Sequence, residues 1–167
     1  LDTAVVERRH NLPAELSSFV GREEELVEVK ALLQKVRLVT LTGTGGTGKT
    51  RLAIQVARAE LAEYTDGVTY VSLAAVSDAV QVADEIAQEL GIAGVPDRSV
   101  PDSLKHYLHD KRLLLVLDNF EHLLAAAPLV TVLLSTAPGL CVLTTSREAL
   151  HLSGEHEYMV PPLTVPV

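Results

Sequence analysis

Hydrophobic and polar positions along the chain alternate between two periods. From Glu23 onward, Leu26, Val29 and Leu33 recur on one helical face, so a helix is expected over 23–35. Arg37 to Thr42 (RLVTLT) is short, apolar and rich in β-branched residues, which predicts a buried strand. A glycine-rich loop follows at once, and then Leu52, Val56 and Ala59 mark the stripe of a helix over 49–63. Gly67 to Leu73 (GVTYVSL) predicts a second strand. The periodicity is clearest over 77–90, where Val80, Ala83, Ala87 and Leu90 repeat at helical spacing, with Ser77 as the expected N-cap and Gly91 as the stop. After a loop over 91–100, a short helix over 101–109 opens on Pro101. Arg112 to Asp118 (RLLLVLD) is apolar until its last residue. Two short helical pieces broken at Pro128, a fourth strand at Leu140 to Thr145 (LCVLTT) and a fifth at Glu157 to Val160 complete the pattern.

Strands that are apolar throughout are buried on both faces, which is the mark of a parallel sheet. Their alternation with helices predicts an α/β three-layer sandwich with right-handed crossovers. At 167 residues and 47% apolar composition, one domain with a full core is expected. Residues 1–18 mix charges with Asn11, Pro13 and two serines and read as an arm or linker. Residues 19–160 read as the folded unit, and 161–167, with two adjacent prolines, as the start of a linker to further modules. The chain is therefore expected to be a fragment of a longer protein. Aromatics are few and tryptophan is absent, so Leu, Val, Ile and Ala must build the core.

Charge narrows the function. A net charge of −8 repels nucleic-acid backbones and anionic lipid, so direct nucleic-acid or membrane binding by this segment is not expected. No apolar run approaches the roughly 18 residues of a membrane span. The single cysteine, Cys141, lies in an apolar run and suits a core position; no intrachain disulfide can form, which fits a reducing cytoplasmic setting. Any phosphate must be held by local donors against the overall field.

Residues 43–50, GTGGTGKT, supply such donors and fit G-x-x-x-x-G-K-[ST] in full. Gly43, Gly45, Gly46 and Gly48 let the backbone around Thr47 curl with its N–H groups inward as an anion nest. The helix beginning near Gly48 adds its positive end. Lys49 would reach the β- and γ-phosphates and the Thr50 hydroxyl would ligate Mg²⁺. The same residues contain Gly43-x-Gly45-x-x-Gly48, a dinucleotide fingerprint. That reading requires an acid at the end of the next strand to bind a ribose. The second strand ends in Val71-Ser72-Leu73, and Asp66 lies at its wrong end.

A second motif strengthens the first. Asp118, at the carboxyl end of RLLLVLD, is placed to hold a water on Mg²⁺ beside Thr50; its competing reading is a cap on the next helix. The fourth strand ends in Thr144-Thr145-Ser146-Arg147. In sheets of this type that strand lies between the two motif strands, so Arg147 would point towards the γ-phosphate, or else cap a helix at the surface.

Taken together these residues resemble the signal-transduction ATPases with numerous domains, the STAND or NB-ARC proteins. The closest likeness is to the ATPase modules of bacterial transcription regulators of the LuxR and antibiotic-regulatory types. The resemblance rests on Asn11-Leu12-Pro13 with Phe19-Val20-Gly21-Arg22-Glu23; the phosphate loop continuing as Thr50-Arg51-Leu52-Ala53; Leu117-Asp118-Asn119-Phe120-Glu121-His122; and Thr144-Thr145-Ser146-Arg147-Glu148. It implies a five-stranded parallel sheet of order 5-1-4-3-2. It also implies ATP or ADP with Mg²⁺ as ligand, Val20, Gly21 and Arg22 along the adenine and ribose, Arg51 among the nucleotide-binding residues, and Arg147 as the sensor that tells ATP from ADP. The nucleotide would be a switch signal, and the parent protein would self-associate and carry helical, winged-helix and effector domains.

One departure bears on chemistry. Many phosphate-loop ATPases of this class place an acid after the metal-binding Asp, where this chain has Asn119. An amide orients water but cannot accept its proton, so hydrolysis is expected to be slow; Glu121, two residues on, is the remaining carboxylate. A small-molecule or nucleotide kinase is the alternative on the same loop, but it needs a basic lid, and 91–110 offers only Arg98, Lys105 and two histidines. His106 and His109 read as surface residues, since two imidazoles make a poor metal site. His122 either positions the loop after Asp118 or is simply solvated.

Overall fold

The computed structural model describes residues 10–14 and 21–162. Five parallel strands, β1 (Leu38–Thr42), β2 (Val68–Ser72), β3 (Leu113–Asp118), β4 (Leu140–Ser146) and β5 (Glu155–Met159), pair in the order β2-β3-β4-β1-β5. Read from its other edge this is 5-1-4-3-2, as expected. Every residue of β1 and β3 is buried, which explains their unbroken apolar runs. The helices are α1 (Glu23–Leu33), α2 (Lys49–Ala59), α3 (Gln81–Leu90), α4 (Val100–Leu108) and α5 (Ala127–Thr136).

Strand side chains alternate between faces, and the two faces carry separate cores. Leu113, Leu115 and Leu117 of β3 pack with α3, α4 and α5 on one side. Leu114 and Val116 pack with α1 and α2 on the other. Asp118 follows in register with Leu114 and Val116, so the pleat directs it to the α2 side, where the phosphate loop lies.

Several boundaries differ from the sequence pattern. The helix expected from Ser77 begins at Gln81, with Val80 as an N-cap that has no side-chain bond. Asp78, not Ser77, caps this turn: its Oδ1 accepts the Val80 N–H at 3.1 Å. Gly91 ends the helix in the left-handed region as expected (φ 73°). Pro128 does not break a helix; it sits in the first turn of α5, after a 3₁₀ turn over Leu124–Ala126. A proline lacks only an N–H that a first turn leaves unpaired anyway. The helix from Lys49 ends at Ala59 before a 3₁₀ turn at Leu61–Glu63. The fifth strand starts two residues early, because Glu155 pairs in register with Leu38. Cys141 is half-buried rather than fully buried.

Gly139, just before β4, shows how closely the chain packs at the sheet's lower edge. A methyl group there would stand 2.5 Å from the Lys111 carbonyl oxygen. Because that neighbour is backbone, it cannot swing aside. Gly139→Ala is expected to lower stability by about 1–3 kcal/mol, read by denaturant unfolding.

Candidate phosphate and metal site

The carboxyl ends of β1, β3 and β4 converge. Since β4 lies between β3 and β1, the segments after all three strands meet at one edge, where open α/β sheets bind ligands. Gly43 to Gly48 follow β1 and turn back into α2. Gly46 and Gly48 both have φ of 85°, a conformation that suits glycine. Gly48 is the N-cap of α2 and has no side chain with which to block the helix N–H groups. Thr47 is buried and its hydroxyl donates to the Thr44 carbonyl at 3.1 Å, closing the loop on itself. Lys49 is half-buried, and its Nζ donates to the Gly43 and Thr44 carbonyls at 2.7 and 3.1 Å. The ammonium therefore lies along the loop it would serve. Arg51 is exposed in the first turn of α2.

Thr50 and Asp118 meet directly: the threonine hydroxyl donates to Asp118 Oδ1 at 2.9 Å. Asp118 is 1% exposed, and a carboxylate so buried needs partners. It has two more. Thr145 Oγ1 donates to Oδ1, and Tyr70 Oη donates to Oδ2 at 2.6 Å. Burial, followed by the adjacent Asp118 carboxylate, raises the Tyr70 phenol well above its ordinary value, so it stays a donor. Thr145 Oγ1 also accepts the Asn119 N–H at 2.9 Å, which holds Asn119 in the left-handed region (φ 68°).

These oxygens suit a hard divalent cation. Among the described residues no group of three or more His, Cys, Asp or Glu could cage a metal alone. Mg²⁺ keeps several waters and takes one or two protein oxygens plus phosphate, a demand that the Thr50 hydroxyl and the Asp118 carboxylate could meet.

Arg147 stands across the loop. A methyl group built on Gly45 would lie 3.4 Å from its Nη2, so the guanidinium is against the phosphate loop. The turn that carries it is anchored by Glu155, whose carboxylate accepts the Leu150 and His151 N–H groups at 2.8 and 2.9 Å and the Thr40 hydroxyl at 2.5 Å.

Arg22 approaches the same loop from α1. It is 4% exposed and its Nη2 donates to the Thr47 carbonyl at 2.5 Å, with Glu25 paired to it at 3.4 Å. Gly21 precedes it at φ 89°. Val20 lies outside the described residues. Glu121 has a buried Oε2 with no hydrogen-bond partner in the structure, and the His122 ring contacts the Val76 carbonyl at 2.7 Å. His106 and His109 are linked to each other, His109 Nδ1 lying 2.7 Å from the His106 carbonyl.

Three residues of this site escaped the sequence pattern. Tyr70 read only as a strand residue, Thr145 only as part of a strand end, and Glu155 fell just before the expected fifth strand. Tyr70 offered one signal: it is a polar-tipped residue two positions before the end of a strand that neighbours the acid-bearing one.

The NB-ARC domain profile matches residues 22–159. An uncharacterized protein of Mycobacterium tuberculosis is 44% identical over 162 residues, which is 96% of this chain and 41% of that protein. A protein from the same organism named as an HTH-type transcriptional regulator is 47% identical over 138 residues, 82% of this chain and 15% of that protein. The chain thus spans less than half the length of these relatives. Among solved structures, the ADP form of the Aeropyrum pernix ORC2 protein matches 90% of this chain and half of its own, with a TM-score of 0.60 at 20% identity. A signal-transduction ATPase with numerous domains from Pyrococcus horikoshii matches 89% of this chain and 24% of its own, with a TM-score of 0.56 at 19% identity. At those identities the structural likeness speaks for the fold.

Proposed function

The chain belongs to the NB-ARC family, and from that premise we propose that it is the nucleotide-holding switch module of a larger STAND-type transcription regulator. It binds ADP and ATP with Mg²⁺ and hydrolyses ATP slowly. The observation that carries this reading is the contact between Thr50 and Asp118 at the mouth of the phosphate loop, with Arg147, just after β4, against Gly45 of the same loop. The loop N–H groups and the N-terminus of α2 would hold the phosphates, and Lys49 would leave its two carbonyls for the β- and γ-oxygens. Thr50 and Asp118 would hold Mg²⁺, which when bound supplies neutralisation of phosphate charge. Gly21 and Arg22, with Val20, would border the adenine and ribose, and Arg51 would join the nucleotide-binding set.

Slow turnover follows from Asn119. Its backbone is fixed by Thr145, and its side-chain amide cannot take a proton from an attacking water. A nucleotide held longer than it is consumed is a signal. The parent protein would carry effector and helical modules, relay this signal through them and self-associate, in the cytoplasm. No helix of the described residues is long and apolar enough to cross a membrane.

The test is thermal unfolding with ADP, ATP, GTP and NAD, each with and without Mg²⁺. Stabilisation by the adenine nucleotides, enhanced by Mg²⁺, is expected; no shift with either would overturn the reading. Arg147→Ala separates the sensor from the cradle. It should leave the ADP shift intact and shrink the additional ATP shift, because its guanidinium, which lies against the loop at Gly45, would reach the third phosphate.

A further inference from the structure

Asp118 is held by more than its own strand. Its Oδ2 accepts from Tyr70 Oη, and Tyr70 stands in β2, the edge strand of the sheet. The free edge of Tyr70 is in turn taken by the side-chain amide of Asn11. Asn11 Nδ2 donates to the Tyr70 carbonyl at 2.8 Å, and the Tyr70 N–H donates to Asn11 Oδ1 at 2.5 Å. One amide thus satisfies both edge groups of one residue, much as a neighbouring strand would. The same Nδ2 also donates to Glu89 of α3 at 2.7 Å.

The segment around Asn11 is docked at three further points and braced by one bond of its own. His10 forms a parallel bridge with Val68. Leu12 is buried in the core that lies under α1 and α2. The Pro13 carbonyl accepts from Arg58 Nη2 at 2.7 Å, and Arg58 lies on α2, the helix that Lys49 and Thr50 open. His10 Nδ1 accepts the Leu12 N–H at 3.1 Å, fixing the turn between them. Tyr70 therefore joins two sets of hydrogen bonds through its own side chain: its peptide holds the segment at residues 10–13, and its phenol holds the carboxylate beside Thr50.

We propose that Tyr70 is a positioning residue for the metal-facing carboxylate of Asp118, and that Asn11 couples the docked N-terminal segment to that site through it. The inference rests on the reading of Thr50 and Asp118 as the Mg²⁺ site. Tyr70 ties Oδ2 and so fixes the rotation that turns Oδ1 toward Thr50. Displacing the segment frees the Tyr70 peptide, loosens the phenol and weakens the hold on the cation. Anything that binds or pulls on this segment would thereby reach the nucleotide site without touching it.

The experiment is a Mg²⁺ titration of the ADP-induced melting shift in the whole chain, for the wild type, Tyr70→Phe, Asn11→Ala and, as a control, Tyr158→Phe on β5. Tyr70→Phe is expected to keep the Mg²⁺-free shift and to need about tenfold more Mg²⁺ for half of the added shift, at the low end for partners that orient metal ligands. Asn11→Ala should move the same midpoint in the same direction by less, and Tyr158→Phe should not move it. A Tyr70→Phe midpoint equal to the wild type would overturn the positioning role. A displaced midpoint in Tyr70→Phe with none in Asn11→Ala would overturn the coupling to the segment. Absence of any ADP shift in the wild type would instead overturn the nucleotide reading on which both depend.

Discussion

Lys49→Ala abolishes the stabilisation that ADP or ATP confers. At 100 times its dissociation constant a ligand adds about 2.7 kcal/mol to the folded state, which for a domain of this size is roughly 5–10 °C in melting temperature. The lysine is the one side-chain cation that the phosphate loop itself presents, and its Nζ already lies on the Gly43 and Thr44 carbonyls. The overall charge of −8 raises what the local cation must offset. The variant without ligand should unfold close to the wild type, since it loses two neutral-acceptor bonds at a half-buried site, about 1 kcal/mol. Differential scanning fluorimetry with and without ADP separates the two effects. A variant that melts like the wild type alone yet gains nothing from ADP is the expected outcome.

Phe120→Ala carries the largest expected cost to the fold itself. Phe120 is fully buried and is the largest side chain in the core beneath α3, α4 and α5. Removing it leaves a cavity in close-packed surroundings, at about 3–5 kcal/mol. Its position makes the loss local as well as global. It sits two residues after Asp118, and its N–H donates to the Thr145 carbonyl at 2.9 Å, beside the Asn119 N–H on the Thr145 hydroxyl. The ring is the apolar anchor that keeps Asp118 at the sheet edge. Urea unfolding should show a lowered midpoint, and the nucleotide shift should fall along with it, in contrast to Lys49→Ala, where only the shift is lost.

The contrast between these variants mirrors what could be read from the residues alone. The placement of the phosphate loop, Asp118 and Arg147 at one edge of the sheet was legible because each uses residue types at fixed spacing on a strand end, and strand ends follow from apolar runs. The sheet order came from the family likeness and agrees with the register. What escaped were bonds between positions far apart in the chain. Tyr70 reaches Asp118 across 48 positions and Asn11 reaches Tyr70 across 59, and no local period marks such pairs. Boundaries failed for a different reason. Ser77 and Asp78 are both good capping residues, and the choice between them is made by the packing of Val82 and Ile86, both fully buried, against β2 and β3. Pro128 was misplaced because the pattern cannot tell a proline that interrupts a helix from one that begins it.

On the reading proposed above, the phosphate loop of this chain holds an adenine nucleotide together with Mg²⁺. Calorimetric titration of the chain with ADP in the presence of Mg²⁺ tests it most directly. A saturable one-to-one binding heat is expected, weaker when Mg²⁺ is omitted and lost in Lys49→Ala. Absence of saturable binding by the wild type, or equal binding by Lys49→Ala, would contradict it.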